Sequence, residues 1–126
     1  MATPATTETI LIIEDNEIEC EGMAAVLRQA GYAVAIAPSI DVALAYPECN
    51  RLPALILLDM MLPEKDGWHF LQERKKKPML AFTPIVIVTG LDEASQEWAA
   101  SLGAAGVLTK PCNPEDLLRE VRRHCG

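Results

Sequence analysis

The chain has 126 residues, of which 50% are hydrophobic and 23% are charged, and this predicts one globular domain with a core of its own. Its formal net charge of −7 disfavours nucleic acid and anionic membranes as direct partners, because both bind basic surfaces, and makes a cation the better candidate ligand. The four cysteines form no C-x-x-C pair and no secretory leader precedes them, so we expect reduced thiols in the cytoplasm rather than a zinc site or a disulfide framework.

Residues 1–8 are polar and rich in Thr and Ala, and we expect a disordered tail there, followed by one domain over residues 9–126. Five short apolar runs within that domain predict β-strands, because each run is short and is followed by polar or turn-forming residues. The runs cover residues 10–13, 33–37, 54–58, 85–88 and 107–109.

Apolar residues at helical spacing follow each run and predict five helices. The first helix should end at Gly31, where a left-handed residue is wanted, and the second should end at Pro47. After the third helix, Lys75 to Lys77 form a basic run, which we interpret as a solvent-exposed cluster favoured by the helix dipole rather than a binding patch. The predicted N-caps of the second, fourth and fifth helices are Ser39, Asp92 and Asn113.

Five strands alternating with five helices predict right-handed crossovers in one parallel sheet, which is a doubly wound α/β domain. Of the two common strand orders, five strands fit the flavodoxin-like (βα)5 order 2-1-3-4-5. In such sheets ligands bind at the carboxyl ends of the strands, at the switch point between strands 1 and 3.

Polar side chains follow four of the predicted strands at this edge. Asp59 follows the central strand, where a carboxylate needs a partner or a metal. If strands 1 and 3 are neighbours, Glu14, Asp15 and Asp59 converge, and a hard divalent cation would relieve their repulsion; oxygen ligands favour Mg²⁺ over zinc. Thr89 ends strand 4 and Lys110 ends strand 5. A carboxylate nucleophile, a metal, a hydroxyl and a cation together suit phosphoryl transfer.

Three of these residues also have ordinary structural interpretations. Asp59 could open a turn, Asp15 could cap the first helix, and Lys110 could be a surface charge. None of the three interpretations explains the whole set.

Four motifs stand in order at these strand ends. They are an acidic pair after strand 1, Asp59 with Pro63 and Gly67 in the pattern Asp-x-x-x-Pro-x-x-x-Gly, a Thr after strand 4, and Lys110-Pro111 after strand 5. Together they resemble the receiver domain of two-component response regulators, over all of the chain but its tail. Glu is a mild departure at the first acidic position, where Asp is commoner in that family.

The resemblance implies that Asp59 is the phosphoacceptor and that Mg²⁺ binds beside it. The ligands would be Asp15 and Asp59 directly, Glu14 through a water molecule, and the backbone carbonyl of Met61. Thr89 would supply the hydroxyl that moves on phosphorylation.

By the same resemblance, Lys110 pairs with a phosphoryl oxygen and Lys110-Pro111 is a cis peptide. The family usually carries Tyr or Phe three residues before this lysine, as a ring that turns inward when the threonine moves. Val107 stands at that position. This departure bears on how a signal would be passed on.

The implied function is that of a phosphorelay receiver, which takes a phosphoryl group from a histidine kinase or a histidine phosphotransfer domain and then binds a downstream protein. It would assist its own phosphorylation and dephosphorylation without being an enzyme otherwise, and would be a monomer or a weak homodimer. No output domain follows the fifth helix, so we expect a stand-alone regulator or one part of a longer protein.

Two other functions are alternatives to this one. A pseudo-receiver would keep the fold as an interaction module without using phosphate, and Val107 is its best support. A Mg²⁺-dependent phosphohydrolase with an aspartate nucleophile would place a second acid two residues after the first, but Met61 occupies that position.

Overall fold

The computed structural model describes residues 8–49, 52–60, 66–90 and 94–125, with side chains except at 47–49. The strands are β1 (Thr9–Ile13), β2 (Ala33–Ala37), β3 (Leu55–Asp59), β4 (Ile85–Thr89) and β5 (Gly106–Thr109). The helices are α1 (Glu17–Gln29), α2 (Ile40–Cys49), α3 (Gly67–Arg74), α4 (Gln96–Ser101) and α5 (Pro114–Cys125). The predicted tail lies outside the described residues, apart from Glu8.

The five strands form one sheet in the order β2-β1-β3-β4-β5, and all four pairings are parallel. The predicted fold class and strand order are therefore confirmed. Ile13 is in register with Leu58 of β3, and Asp59 is in register with Val88 of β4. This register brings the carboxyl ends of β1, β3 and β4 to a single edge.

The sheet separates two hydrophobic clusters, because successive residues of a strand point to opposite faces. In β3, Ile56 and Leu58 belong to the cluster shared with α2, α3 and α4, whereas Leu55 and Leu57 belong to the one shared with α1 and α5. All five residues of β3 are buried, which confirms a strand covered on both faces. No helix among the described residues is both long and apolar enough to cross a membrane.

Two of the predicted helix caps are confirmed. Ser39 Oγ accepts from the Val42 amide at 3.2 Å, and Asn113 Oδ1 accepts from the Asp116 amide at 2.8 Å. Asp92, the predicted cap of α4, lies outside the described residues. The cap of that helix is Ser95, whose hydroxyl accepts from the Trp98 amide at 3.0 Å.

The predicted ends of the first two helices fare differently. Gly31 has a φ of 100°, in the left-handed region that glycine adopts readily, so the stop after α1 is confirmed. The prediction that Pro47 ends α2 is wrong, because the helix continues to Cys49. A proline removes one N–H from the hydrogen-bond ladder and its ring crowds the carbonyl four residues earlier, but near a helix end few hydrogen bonds follow it, so the last turn can persist.

The end of α3 contains a buried cation that the sequence did not reveal. Lys75 and Lys76 are exposed, as expected, whereas Lys77 is half-buried and the preceding Arg74 is buried. Its guanidinium donates to three carbonyls of the loop before β4 and to one carbonyl after α4. The acceptors are Leu80 O at 3.4 Å, Ala81 O at 3.1 Å, Thr83 O at 3.1 Å and Gly103 O at 3.0 Å.

Candidate functional site

The carboxyl edge of the sheet gathers the three predicted acids. Glu14 follows β1 and Asp59 ends β3, and these strands are hydrogen-bonded neighbours. Carboxylate oxygens of Glu14, Asp15 and Asp59 lie within 4.8 Å of one another. Glu14 and Asp59 are buried, whereas Asp15 is exposed. The N-cap of α1 is Asn16, which excludes the interpretation of Asp15 as the cap.

Burial raises the pKa of the Glu14 carboxyl to about 7. The neighbouring Asp59 acts in the same direction through a hydrogen bond and its charge, while Lys110 and the Asn16 amide oppose it. Near neutral pH, this acid is therefore balanced between its neutral and charged forms. A bound cation would favour the charged form, because it offsets the repulsion between the carboxylates.

Lys110 follows β5 and reaches into the same cluster. Its Nζ lies 2.9 Å from Glu14 Oε1, 2.7 Å from Glu19 Oε1 and 3.3 Å from Asp59 Oδ2. Burial opposes its charge, but hydrogen bonds to Glu19 and Glu14 and the charge of Asp59 outweigh burial and raise the pKa of the ammonium. The interpretation of Lys110 as a plain surface charge is therefore excluded.

Glu19 is a member of the site that the sequence prediction missed. It lies in the first turn of α1, and its amide donates to Asn16 Oδ1 at 2.9 Å. The spacing of Asn16 and Glu19 is that of a capping box, in which the glutamate would bend back to the cap. Its carboxylate instead binds Lys110. The sequence does place Glu19 in the first turn of a helix that begins at the acidic edge of the sheet, and this position could have identified it as a neighbour of the site.

Thr89 and the β5 segment are joined by backbone contacts. Thr89 is buried at the end of β4, one register position beyond the partner of Asp59, and its carbonyl accepts from the Lys110 amide at 2.7 Å. The predicted cis peptide Lys110-Pro111 is confirmed. Val107 is half-buried and packs against the cluster that contains α2, α3 and α4.

The start of α3 lies against the end of β3. The Gly67 amide donates to Met60 O at 3.1 Å. A Cβ on Gly67 would lie 2.9 Å from Met60 Cα and 3.2 Å from Asp59 O, so only glycine allows this approach. Met61, whose carbonyl is a predicted Mg²⁺ ligand, and Pro63 of the Asp-x-x-x-Pro-x-x-x-Gly motif lie outside the described residues.

The donor set fits a hard cation. Mg²⁺ prefers oxygen ligands, and the carboxylates of Glu14, Asp15 and Asp59 can supply them to one ion. Such an ion would also offset the negative charge of the two buried acids, Glu14 and Asp59. Lys110 sits beside these carboxylates, so an anionic group held at Asp59 would meet both a cation and an ammonium.

The sequence matches the family model described as "Response regulator receiver domain" over residues 10–122. Protein PilH of Pseudomonas aeruginosa is 32% identical over 115 residues, which cover 89% of this chain and 93% of PilH. The transcriptional regulatory protein GltR of the same organism is 31% identical over 120 residues, which cover 94% of this chain and 49% of GltR. The structure of the Vibrio cholerae chemotaxis protein CheY4 is similar, with a TM-score of 0.84 at 30% identity, covering 94% of this chain and 99% of CheY4. The chain thus spans about half the length of GltR.

Proposed function

The chain belongs to the response regulator receiver domain family, and from that premise we propose that Asp59 accepts a phosphoryl group from the phosphohistidine of a histidine kinase or a histidine phosphotransfer domain. The observation that carries the proposal is the position of this carboxylate. Asp59 ends the central strand, within reach of two further acids, and its Oδ2 lies 3.3 Å from the ammonium of Lys110. Receiver domains are signalling domains rather than classical enzymes, so the chemistry serves to set a state.

In the proposed step a carboxylate oxygen of Asp59 bonds to phosphorus while the bond from phosphorus to the histidine nitrogen breaks, and that electron pair stays on the nitrogen. Lys110 would then donate to a phosphoryl oxygen, and the Thr89 hydroxyl to another. Mg²⁺ would be held by Asp15 and Asp59 directly, by Glu14 through a water molecule and by the Met61 carbonyl. When bound, the ion neutralises charge on the transferring group.

The partners are proposals at the level of chemical class. The chain would bind a phosphohistidine-bearing protein first and a downstream protein afterwards. It would do so as a monomer or weak homodimer, and neither nucleic acid nor membrane would be a direct partner. We place it in the cytoplasm, since Cys20, Cys112 and Cys125 are free thiols, as is usual in reducing compartments.

The direct test is incubation with Mg²⁺ and acetyl phosphate, followed by intact mass measurement. We expect the wild type to gain one phosphoryl group, and Asp59→Asn to gain none. Glu115→Gln, which changes an exposed acid on α5, is the matched control and should behave as the wild type does. A wild type that gains no mass, or an Asp59→Asn variant that does, would contradict the proposal.

The second candidate is the phosphate-independent pseudo-receiver, which Val107 favours because a short side chain stands where the family usually has a ring. The same experiment separates the two. A pseudo-receiver would keep the mass of the unmodified chain with acetyl phosphate and Mg²⁺, although it carries Asp59, Thr89 and Lys110.

A further inference from the structure

Three carboxylates surround the Lys110 ammonium within ion-pair distance. A lysine ammonium has three N–H donors, and its three acid neighbours are Glu19, Glu14 and Asp59 at 2.7, 2.9 and 3.3 Å. The shortest of these contacts is to Glu19 and the longest is to Asp59. The ammonium is therefore closest to Glu19 of α1, and not to Asp59, the proposed phosphoacceptor.

Glu19 differs from the other two acids in its access to water. Its side chain is 42% exposed, against 2% for Glu14 and 7% for Asp59. A buried carboxylate that loses its partner is left desolvated, whereas an exposed one is rehydrated at once. Of the three contacts, the one to Glu19 is therefore the easiest to break. The helix position of Glu19 is set independently, because Asn16 caps its amide.

We propose that Glu19 is a positioning residue that competes with the phosphoryl group for Lys110 and so restrains phosphorylation of Asp59. This inference rests on the proposed function. To contact a phosphoryl oxygen, Lys110 must turn part of its charge away from this acid cluster, and the contact with Glu19 is the one that breaks most readily. Until then, the Glu19 carboxylate shares the ammonium with Glu14 and Asp59 and also repels an anionic phosphodonor.

The test compares Glu19→Gln with Glu21→Gln. Glu21 is also exposed and lies about 200° further around α1, so it controls for the general effect of one charge. With acetyl phosphate and Mg²⁺, we expect Glu19→Gln to be phosphorylated roughly two- to five-fold faster than the wild type, the change that loss of a partly exposed ion pair gives. Glu21→Gln should stay near the wild-type rate.

A spectroscopic readout separates positioning from a structural effect. In the free protein, Glu19→Gln should shift the NMR signal of the Lys110 side chain. With beryllofluoride and Mg²⁺ bound, the wild-type and variant signals should coincide, because Glu19 has then released the lysine in both proteins.

Each outcome has one meaning. If the wild type is phosphorylated and Glu19→Gln is no faster than Glu21→Gln, the inference is overturned and the proposed function stands. If the wild type is not phosphorylated but Glu19→Gln is, the restraint is stronger than proposed and the inference is supported. If neither chain is phosphorylated, the proposed function fails and takes the inference with it.

Discussion

The Glu14 carboxyl, buried beside the proposed phosphoacceptor, couples the stability of the chain to pH. Because its pKa is raised from 4.5 to about 7 in the folded chain, the folded state keeps a proton that the unfolded state has lost. The stabilisation from that proton is complete below pH 4.5 and is lost as the pH rises through about 7. Glu14→Gln stays neutral and should remove this dependence. Above pH 7 it should make the metal-free protein more stable by on the order of 2 kcal/mol.

Urea denaturation in EDTA across this pH range measures the effect. Glu21→Gln, an exposed change on α1, should keep the wild-type slope. Parallel pH profiles for Glu14→Gln and the wild type would mean that the Glu14 carboxyl is charged in the folded protein throughout.

Asp15 is the exposed member of the acidic trio, and its removal separates metal binding from folding. Asp15→Ala should abolish phosphorylation and weaken Mg²⁺ binding strongly, since the ion would lose one of its carboxylate ligands. The free energy of unfolding should change by no more than about 0.5 kcal/mol, as is usual for a surface substitution. Calorimetric titration with Mg²⁺ checks the affinity. Undiminished binding would place the metal site elsewhere.

At the scale of elements, the loop between α3 and β4 is fixed by the buried guanidinium of Arg74. Arg74→Met keeps much of the apolar volume but leaves the carbonyls without their donor, so we expect a loss of roughly 2–4 kcal/mol in the free energy of unfolding. Lys75→Met changes the exposed neighbour and should stay within about 0.5 kcal/mol of the wild type. Urea denaturation measures both. Equal stabilities would show that water replaces the guanidinium.

The close approach of α3 to the segment after Asp59 gives a second prediction at this scale. Gly67→Ala would place a Cβ 2.9 Å from Met60 Cα, so the backbone must shift and stability should fall by about 1–3 kcal/mol. Gly22 lies within α1, with nothing within 4 Å of an added Cβ, and Gly22→Ala should stabilise the protein by about 0.5–1 kcal/mol. Thermal unfolding compares the two. A destabilised Gly22→Ala would show that α1 is more crowded than the structure indicates.

Local patterns predicted the elements well, and contacts between distant residues account for what they missed. Apolar runs mark buried strands, so all five strands were found, and the strand order placed the acids of β1 and β3 together. The contact of Arg74 with Gly103 joins residues 29 apart, and that of Lys110 with Glu19 joins the segment after β5 to α1. Such contacts depend on how loops bring elements together, which neither periodicity nor spacing encodes.

At the scale of the whole molecule, α4 is attached to α3 by two separate contacts. Trp68 of α3 and Trp98 of α4 form an edge-to-face pair with centroids 6.2 Å apart, and Arg74 reaches Gly103 just beyond α4. Two attachments of this kind oppose a movement of α4 alone. Any change that starts at Thr89 must therefore either break them or move both helices together.

Two arginines of α5 are held by ion pairs within their own helix. Arg119 pairs with Asp116 and Arg123 pairs with Glu120, each at 3.0 Å. Arg122 and Arg123 lie in the last turn of α5 and complement the negative end of the helix dipole, so ion pairing and the dipole explain these arginines structurally as well as partner recognition does. If they do bind a partner, they present their charge to it independently of phosphorylation.

The extent of the response to phosphorylation should be small, and Val107 is the reason. In the proposed mechanism the Thr89 hydroxyl would turn toward the phosphoryl group and vacate space that a large ring could fill, and a half-buried valine is too short to fill it. A smaller difference in contacts between two states gives a smaller shift in their populations. Hydrogen exchange with and without beryllofluoride should therefore show modest changes along α4, β5 and α5. Val107→Tyr, which restores a ring, should enlarge them, whereas large new protection over residues 90–108 in the wild type would show that the chain switches fully without an aromatic side chain.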